Sequence, residues 1–217
     1  MNINCYPLLK FIAKPLVKLL WIGQVTGLKN IPAKGPVIIA ANHQSYFDPV
    51  CIGVVCPRQI HSFAAEVFYK KWWSRFILES MQQIKIERYG SDKKESAKEA
   101  IEQAIRYLQK GEICGIFPEG TRSRTGKIQK AFTGVAKLSL LSKAPIIPIG
   151  IIGTYEIMSP HESFPHFHKS KIKIGKPMHF HQFEKQKDDP RVLRKITDQV
   201  MTKIAELSGQ KYLFNES

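Results

Sequence analysis

Short apolar runs rich in β-branched residues alternate along this chain with longer stretches whose apolar positions recur at helical spacing. PVIIAA (36–41) and ICGIFP (113–118) are continuous enough to predict buried strands, and IHSFAA (60–65) predicts another. QQIKIER (82–88) alternates as a half-exposed strand does, and KIKIGKP (171–177) predicts a last short strand. IGQVTGLKNI (22–31) reads as an edge strand running into a turn at Pro32–Pro36. In PIIPIGIIG (145–153) the run is interrupted by Pro148, which lacks an N–H and so predicts a sheet edge or a bulge.

The clearest helix spans 93–110, where Ala97, Ala100, Ile101, Ala104, Ile105 and Leu108 form one apolar face, Asp92 is placed to cap the start and Gly111 ends it. Further helices are predicted across 67–80, over 133–143, from Asp48 onward, and from Pro190 to about Leu207. Strands alternating with helices predict an α/β class: a single domain with a mixed, largely parallel sheet flanked by helices. No repeat or linker divides the chain, and residues 154–170, the longest irregular stretch, are expected to be a flexible loop.

Residues 5–22, CYPLLKFIAKPLVKLLWI, carry a different pattern. Lys10, Lys14 and Lys18 recur every fourth position and share a helix face, while Leu8, Leu9, Phe11, Ile12, Leu16, Val17, Leu19, Leu20 and Trp21 cover much of the rest. Lysine breaks each apolar run before it reaches the roughly 18–20 residues of a membrane span, and no small-residue cleavage site follows, so no cleaved signal peptide is expected. Pro15 is expected to kink the segment or split it in two. The pattern fits a helix lying on an anionic bilayer, or one packed on its own domain; the lysine stripe favours the bilayer. The predicted organisation is an amphipathic membrane-associating segment, 1–22, followed by one domain, 23–217. FYKKWWSRFIL (68–78) repeats the theme, with Trp72, Trp73 and Phe76 beside Lys70, Lys71 and Arg75, and reads equally as an interfacial belt or as core.

Charge sharpens this picture. The 217 residues hold 33 Lys and Arg against 18 Asp and Glu, a net charge of +15, and no acidic residue precedes Asp48. Such an excess favours polyanionic partners: nucleic acid, anionic membrane or phosphorylated substrates. Cys51, Cys56 and Cys114 lie in apolar stretches without CxxC spacing and read, with Cys5, as thiols of a reducing compartment.

Two segments carry candidate chemistry. In NHQSYFD (42–48), His43 leaves a predicted strand and Asp48, followed by Pro49, opens a predicted helix as its N-cap. A strand–turn–helix junction lets the two side chains face each other, as a general base and its orienting carboxylate do. A loop histidine and a capping aspartate would look the same. FPEGTRSRTGKIQK (117–130) also follows a buried strand, at the carboxyl end where open α/β sheets place ligands. Arg122, Arg124, Lys127 and Lys130, beside Gly120, Thr121, Ser123 and Gly126, suit a phosphate cradle, or a solvated basic loop. Glu119 is expected to hold an arginine or a substrate hydroxyl. Neither GxxxxGK[ST] nor GxGxxG is present.

NHQSYFD, FPEGTRSR and IPIGI, in this order, resemble the glycerophospholipid acyltransferase family, over roughly residues 25–180. The family's arginine after a strand matches Arg88 in IKIER, and its proline between aliphatics matches Pro148. KAFTG (130–134) departs from the family's usual basic–glycine spacing, which leaves the equivalence of Lys130 open. The resemblance implies that His43 takes a proton from an acceptor hydroxyl, that Asp48 orients the imidazole, and that Arg88, Arg122 and Arg124 hold the acceptor phosphate. Backbone donors near Gly120 or the Pro148 strand would serve the oxyanion. The implied reaction moves a fatty acyl group from acyl-CoA or acyl-carrier protein to a lysophospholipid, most often 1-acylglycerol 3-phosphate, with other lysolipids or glycerol phosphate as alternatives. It needs no metal or other cofactor. The implied location is the cytoplasmic face of a membrane, held peripherally.

Other readings compete. HxH pairs within His161–His181 would put two rings on one strand face, as Zn²⁺ or Ni²⁺ ligands require, but no Cys or paired carboxylates join them. A non-catalytic basic protein binding membrane or nucleic acid explains the charge but not His43 with Asp48, and no nucleic-acid motif is present, so no nucleic-acid partner is expected. A thioesterase would have no use for phosphate-binding arginines.

Overall fold

The computed structural model describes residues 4–87 and 92–214. Strands β1 (Ile22–Thr26), β2 (Val37–Ala41), β3 (Ile60–Ala65), β4 (Ile84–Ile86), β5 (Ile113–Ile116), β6 (Ile146–Ile152) and β7 (Ser170–Ile174) form one sheet in the order β1-β7-β6-β2-β5-β3-β4. Every neighbouring pair is parallel except β6 with β7, so the predicted mixed, largely parallel sheet is what forms. The helices are α1 (Tyr6–Trp21), α2 (Asp48–Val55), α3 (Trp72–Ser80), α4 (Lys93–Gln109), α5 (Gly134–Ser142), the single turn α6 (Thr154–Ile157) and α7 (Pro190–Ser208).

The continuous apolar runs are explained by helices on both faces. All five residues of β2 are buried. Ile38 and Ala40 join a core with Ala100, Ala104 and Leu108 of α4, Val135 and Leu138 of α5, and Ile196, Val200 and Ile204 of α7. Val37, Ile39 and Ala41 face the opposite way, onto a core with Val17 of α1 and Cys51, Ile52 and Val55 of α2. Successive strand residues point to opposite faces, so a strand buried on both reads as an unbroken hydrophobic run. Helix α7 lies so close to β6 that a Cβ on Gly150 would stand 2.5 Å from the backbone of Leu207 and Ser208.

Three expectations need correction, and a fourth is narrowed. Pro15 does not split the first helix, which is continuous from Tyr6 to Trp21. Pro15 and Phe11 are both exposed, so the carbonyl that loses its partner faces water, where the cost is small. Pro148 meets the second of its two expected settings, an irregularity and not an edge, since β6 lies between β7 and β2. It sits where the register with the returning chain slips by one residue, between Ile149↔Ile174 and Ile146↔Met178. Its carbonyl accepts the Gly175 N–H at 2.8 Å, and its missing N–H falls at that irregularity. Residues 154–170 do not form one irregular loop: α6 opens the stretch, with Thr154 and Ile157 fully buried. The HxH pairs lie outside regular strands, so the one-face argument does not apply to them.

Helix α1 packs on α2 through Tyr6 and Val17 while Phe11, Ile12, Leu16 and Leu19 are exposed, Phe11 by 80%. On α3, Trp72 is 82% exposed, and Trp73 and Phe76 are also outside the core. Among the described residues no helix is long and apolar enough to cross a membrane.

Candidate active site

Strands β2 and β5 are adjacent and parallel, with Ala40 opposite Ile116. The segments that follow them, 42–47 and 117–132, therefore leave the sheet side by side at its carboxyl end, the usual ligand position in open α/β sheets. His43 and Glu119 are thereby brought together.

The His43 backbone is clamped by the second segment. Glu119 Oε1 accepts the His43 N–H at 2.8 Å, and the His43 carbonyl accepts the Ser123 N–H at 2.8 Å. The other Glu119 oxygen accepts the Gln129 N–H at 2.9 Å. Glu119 is only 2% exposed, and burial pushes its carboxyl up to about 7 against the two amides, which favour the anion. In this structure Glu119 uses Oε1 to tie the His43 loop to its own loop and Oε2 to brace its own loop at Gln129, contacts that the sequence did not indicate.

The ring of His43 is fixed on two sides. Phe117 stacks on it with centroids 4.0 Å apart, and Nδ1 lies 2.8 Å from Asp48 Oδ2. That same oxygen accepts the backbone N–H groups of Gln44, at 2.7 Å, and Ser45, at 2.8 Å. Asp48 Oδ1 accepts the Thr154 hydroxyl at 2.6 Å. The helix it opens has Phe47 at its N-cap position. Asp48 therefore does not cap that helix; it reaches back to the amides of the preceding turn, because its side chain is drawn toward His43. Asp48 is wholly buried, while the His43 side chain keeps 12% exposure. With Nδ1 committed to Asp48, Nε2 is the ring nitrogen left to serve as a base.

Arg122 projects over Tyr46 of the first segment, its guanidinium carbon 3.4 Å from the ring centroid. Its Nη1 is buried without a hydrogen-bond partner among the described residues, and burial lowers the guanidinium's affinity for its proton. A half-buried guanidinium with a buried open donor, on the residue before the one whose amide holds the His43 carbonyl, is suited to an anionic ligand.

The remaining sequence candidates separate. Gly120 adopts a left-handed conformation (φ 69°), where a Cβ would crowd Phe132, and its N–H turns back to Phe117 O at 3.0 Å instead of facing an oxyanion. Thr121, Arg124 and Lys130 are exposed, and the Arg124 carbonyl accepts the Tyr155 hydroxyl at 2.8 Å. Pro148 is buried in the sheet opposite Ala40, three positions short of His43, and belongs to the scaffold. Arg88 lies outside the described residues. Sequence reading missed Thr154, Gln44, Tyr46 and Phe117. Three of these lie within or beside the two motifs, and Thr154 follows the strand next to β2, which was the available signal.

Residues 23–152 match the family model described as Acyltransferase. The 1-acyl-sn-glycerol-3-phosphate acyltransferase of Bacillus subtilis (strain 168) is 31% identical over 191 residues, spanning 86% of this chain and 88% of that one. The enzyme of the same name from Pseudomonas aeruginosa is 27% identical, spanning 86% of this chain and 69% of that one. The crystal structure of the 1-acyl-sn-glycerophosphate (LPA) acyltransferase PlsC from Thermotoga maritima superposes with a TM-score of 0.74 at 24% identity, covering 95% of this chain and 81% of that chain, and shares the fold.

Proposed function

The chain belongs to the acyltransferase family, and on that premise we propose that it transfers a fatty acyl group from an acyl thioester to the free hydroxyl of 1-acylglycerol 3-phosphate, giving phosphatidic acid. The observation that carries this reading is the buried Asp48 holding His43 Nδ1 at 2.8 Å, at the mouth of a parallel sheet and beside Arg122.

In this mechanism His43 Nε2 takes the proton of the acceptor hydroxyl as its oxygen attacks the thioester carbonyl carbon. Asp48 keeps the imidazole in the tautomer with a proton on Nδ1 and stabilises the imidazolium. When the C–S bond breaks, the imidazolium returns the proton to the departing thiolate. The acceptor hydroxyl is itself the nucleophile, so no covalent acyl-enzyme is required. General-base assistance of this kind is worth about 10²–10⁴ in rate. Arg122, with Arg88, holds the acceptor phosphate, and the Tyr46 ring keeps the guanidinium in place by stacking.

The donor is the thioester of coenzyme A or of acyl-carrier protein. Acceptor and product are membrane lipids, and the exposed apolar residues of α1, interleaved with lysines, and of α3, which follows Lys70 and Lys71 and carries Arg75, support docking of the protein on an anionic bilayer surface. The test of the substrate assignment is an acceptor panel with the purified protein and acyl-CoA. Lysophosphatidic acid, glycerol 3-phosphate and phosphate-free lysolipids are compared by acyl-product formation and by free fatty acid release. Acylation of lysophosphatidic acid above all others is expected. Fatty acid release independent of acceptor would make the protein a thioesterase instead.

A further inference from the structure

The two oxygens of Asp48 are served differently. Oδ2 collects three donors: His43 Nδ1 and the amides of Gln44 and Ser45. Oδ1 receives the hydroxyl of Thr154 at 2.6 Å, from a residue 106 positions further along and itself fully buried.

The direction of these bonds is fixed by elementary chemistry. Gln44 Nε2 lies 3.2 Å from the Ile151 carbonyl, which can only accept, so the nitrogen end of the Gln44 amide is the one that points there. The same nitrogen lies 3.0 Å from Thr154 Oγ1 and must donate to it. The hydroxyl accepts on that side, and its single proton is left for Asp48. The chain of donors runs from Gln44 to Thr154 to Asp48, and Asp48 in turn accepts from His43.

The backbone delivers Thr154 to this spot and holds it there. Gly153 turns in the left-handed region (φ 85°), with space for a Cβ closed by the Lys169 carbonyl at 3.0 Å, and α6 begins at the next residue. At the other end of that turn the Met158 carbonyl accepts the Ser45 hydroxyl at 2.7 Å. The turn is thus pinned at both ends to the loop that carries His43.

We propose that Thr154 is a positioning residue for the His43–Asp48 pair. Its hydroxyl fixes the rotation of the Asp48 carboxylate so that Oδ2 stays on His43, and by sharing the negative charge it sets how tightly Asp48 holds the imidazolium proton. The inference rests on the acyl-transfer reading and names a further residue on which that reaction depends. Among the described residues, Glu119 and Cys51 also interact electrostatically with Asp48. Glu119 is bound to the His43 and Gln129 amides and not to Thr154, so its contribution is common to both profiles compared below. Cys51 is pushed by burial to about 12, outside the range of the measurement.

The experiment compares Thr154→Val with Thr154→Ser in steady-state acyl transfer from acyl-CoA to lysophosphatidic acid across pH, with His43→Ala as the reference for loss of the base. Removing one donor to a buried carboxylate is expected to lower kcat by about 10- to 100-fold, with KM for either substrate little changed. The acid limb of kcat should move upward by about half a pH unit or more, because an Asp48 relieved of one donor holds the His43 proton more tightly. Thr154→Ser should restore both rate and profile. Thr154→Ala takes the place of the valine variant where valine does not fold, as judged by circular dichroism. An acid limb that stays in place or moves down, or a serine variant as poor as valine, overturns the proposal while leaving the dyad intact. Full activity of His43→Ala would instead overturn the reading on which it rests.

Discussion

Replacing Glu119 by alanine removes the acceptor that joins the two loops of the site, and the penalty should depend on pH in a direction the structure fixes. Two backbone N–H groups, those of His43 and Gln129, lose the oxygens that accept them at 2.8 and 2.9 Å. Each buried donor left unpaired costs about 1–3 kcal/mol, so the variant should lose roughly 2–6 kcal/mol at pH 5, where the folded chain holds Glu119 protonated. The carboxyl, however, is lifted by burial from 4.5 to about 7. Because the folded value lies above the unfolded one, its stabilising contribution is complete below about 4.5 and is lost as pH rises through about 7. A rise of that size corresponds to about 3 kcal/mol, of which most falls between pH 5 and 8.5. The alanine variant does not bear this burial cost. Its deficit relative to the wild type should therefore shrink by about 2–3 kcal/mol on going from pH 5 to 8.5. Reversible urea unfolding of both proteins at the two pH values measures the difference directly. A deficit that is constant, or that grows with pH, would refute the account of Glu119 as a buried carboxyl held between two amides.

Phe11→Asp with Leu16→Asp places charges on exposed positions of α1 and should leave thermal stability within about 1 kcal/mol while abolishing flotation with phosphatidylglycerol vesicles; undiminished flotation would remove α1 as the anchor. Arg122→Lys keeps the charge but loses the planar fork stacked on Tyr46, and should raise KM for lysophosphatidic acid about tenfold with little change in KM for the acyl donor. Gly150→Ala should prevent folding or cost about 3 kcal/mol or more, since the new methyl meets the α7 backbone at 2.5 Å; near-native thermal stability would contradict the packing of α7 on β6.

Local pattern carried the elements because their physical cause is local. The central β-branched runs became strands within two residues of the expected limits, while β1 and β7 end five and three residues short of theirs, and the apolar row of α4 is buried at Ala100, Ala104 and Leu108 as its spacing requires. The two-motif site was legible because each motif follows a strand, and β2 and β5 are neighbours. What the sequence hid depends on distant partners. Asp48 beside Pro49 looks like an N-cap until its side chain is seen turned back to His43 and the amides of Gln44 and Ser45. Glu119 looks like a ligand for a cation until its oxygens are found on two backbone N–H groups. Thr154 is an ordinary residue after a strand, and only the adjacency of β6 to β2 brings it under Asp48. Pro15 was expected to interrupt its helix because propensity rules ignore what solvent does with the freed backbone group.

The central claim is that His43, oriented by Asp48, is the base of an acyl transfer to a phosphate-bearing lysolipid. Phosphatidic acid formed from acyl-CoA and lysophosphatidic acid by the purified wild type, by His43→Ala and by Asp48→Asn tests it most directly. The account predicts steady formation by the wild type and a loss of at least about 100-fold in each variant, with thermal stability of the histidine variant little altered. Absence of product with the wild type, or formation by His43→Ala at the wild-type rate, would contradict it.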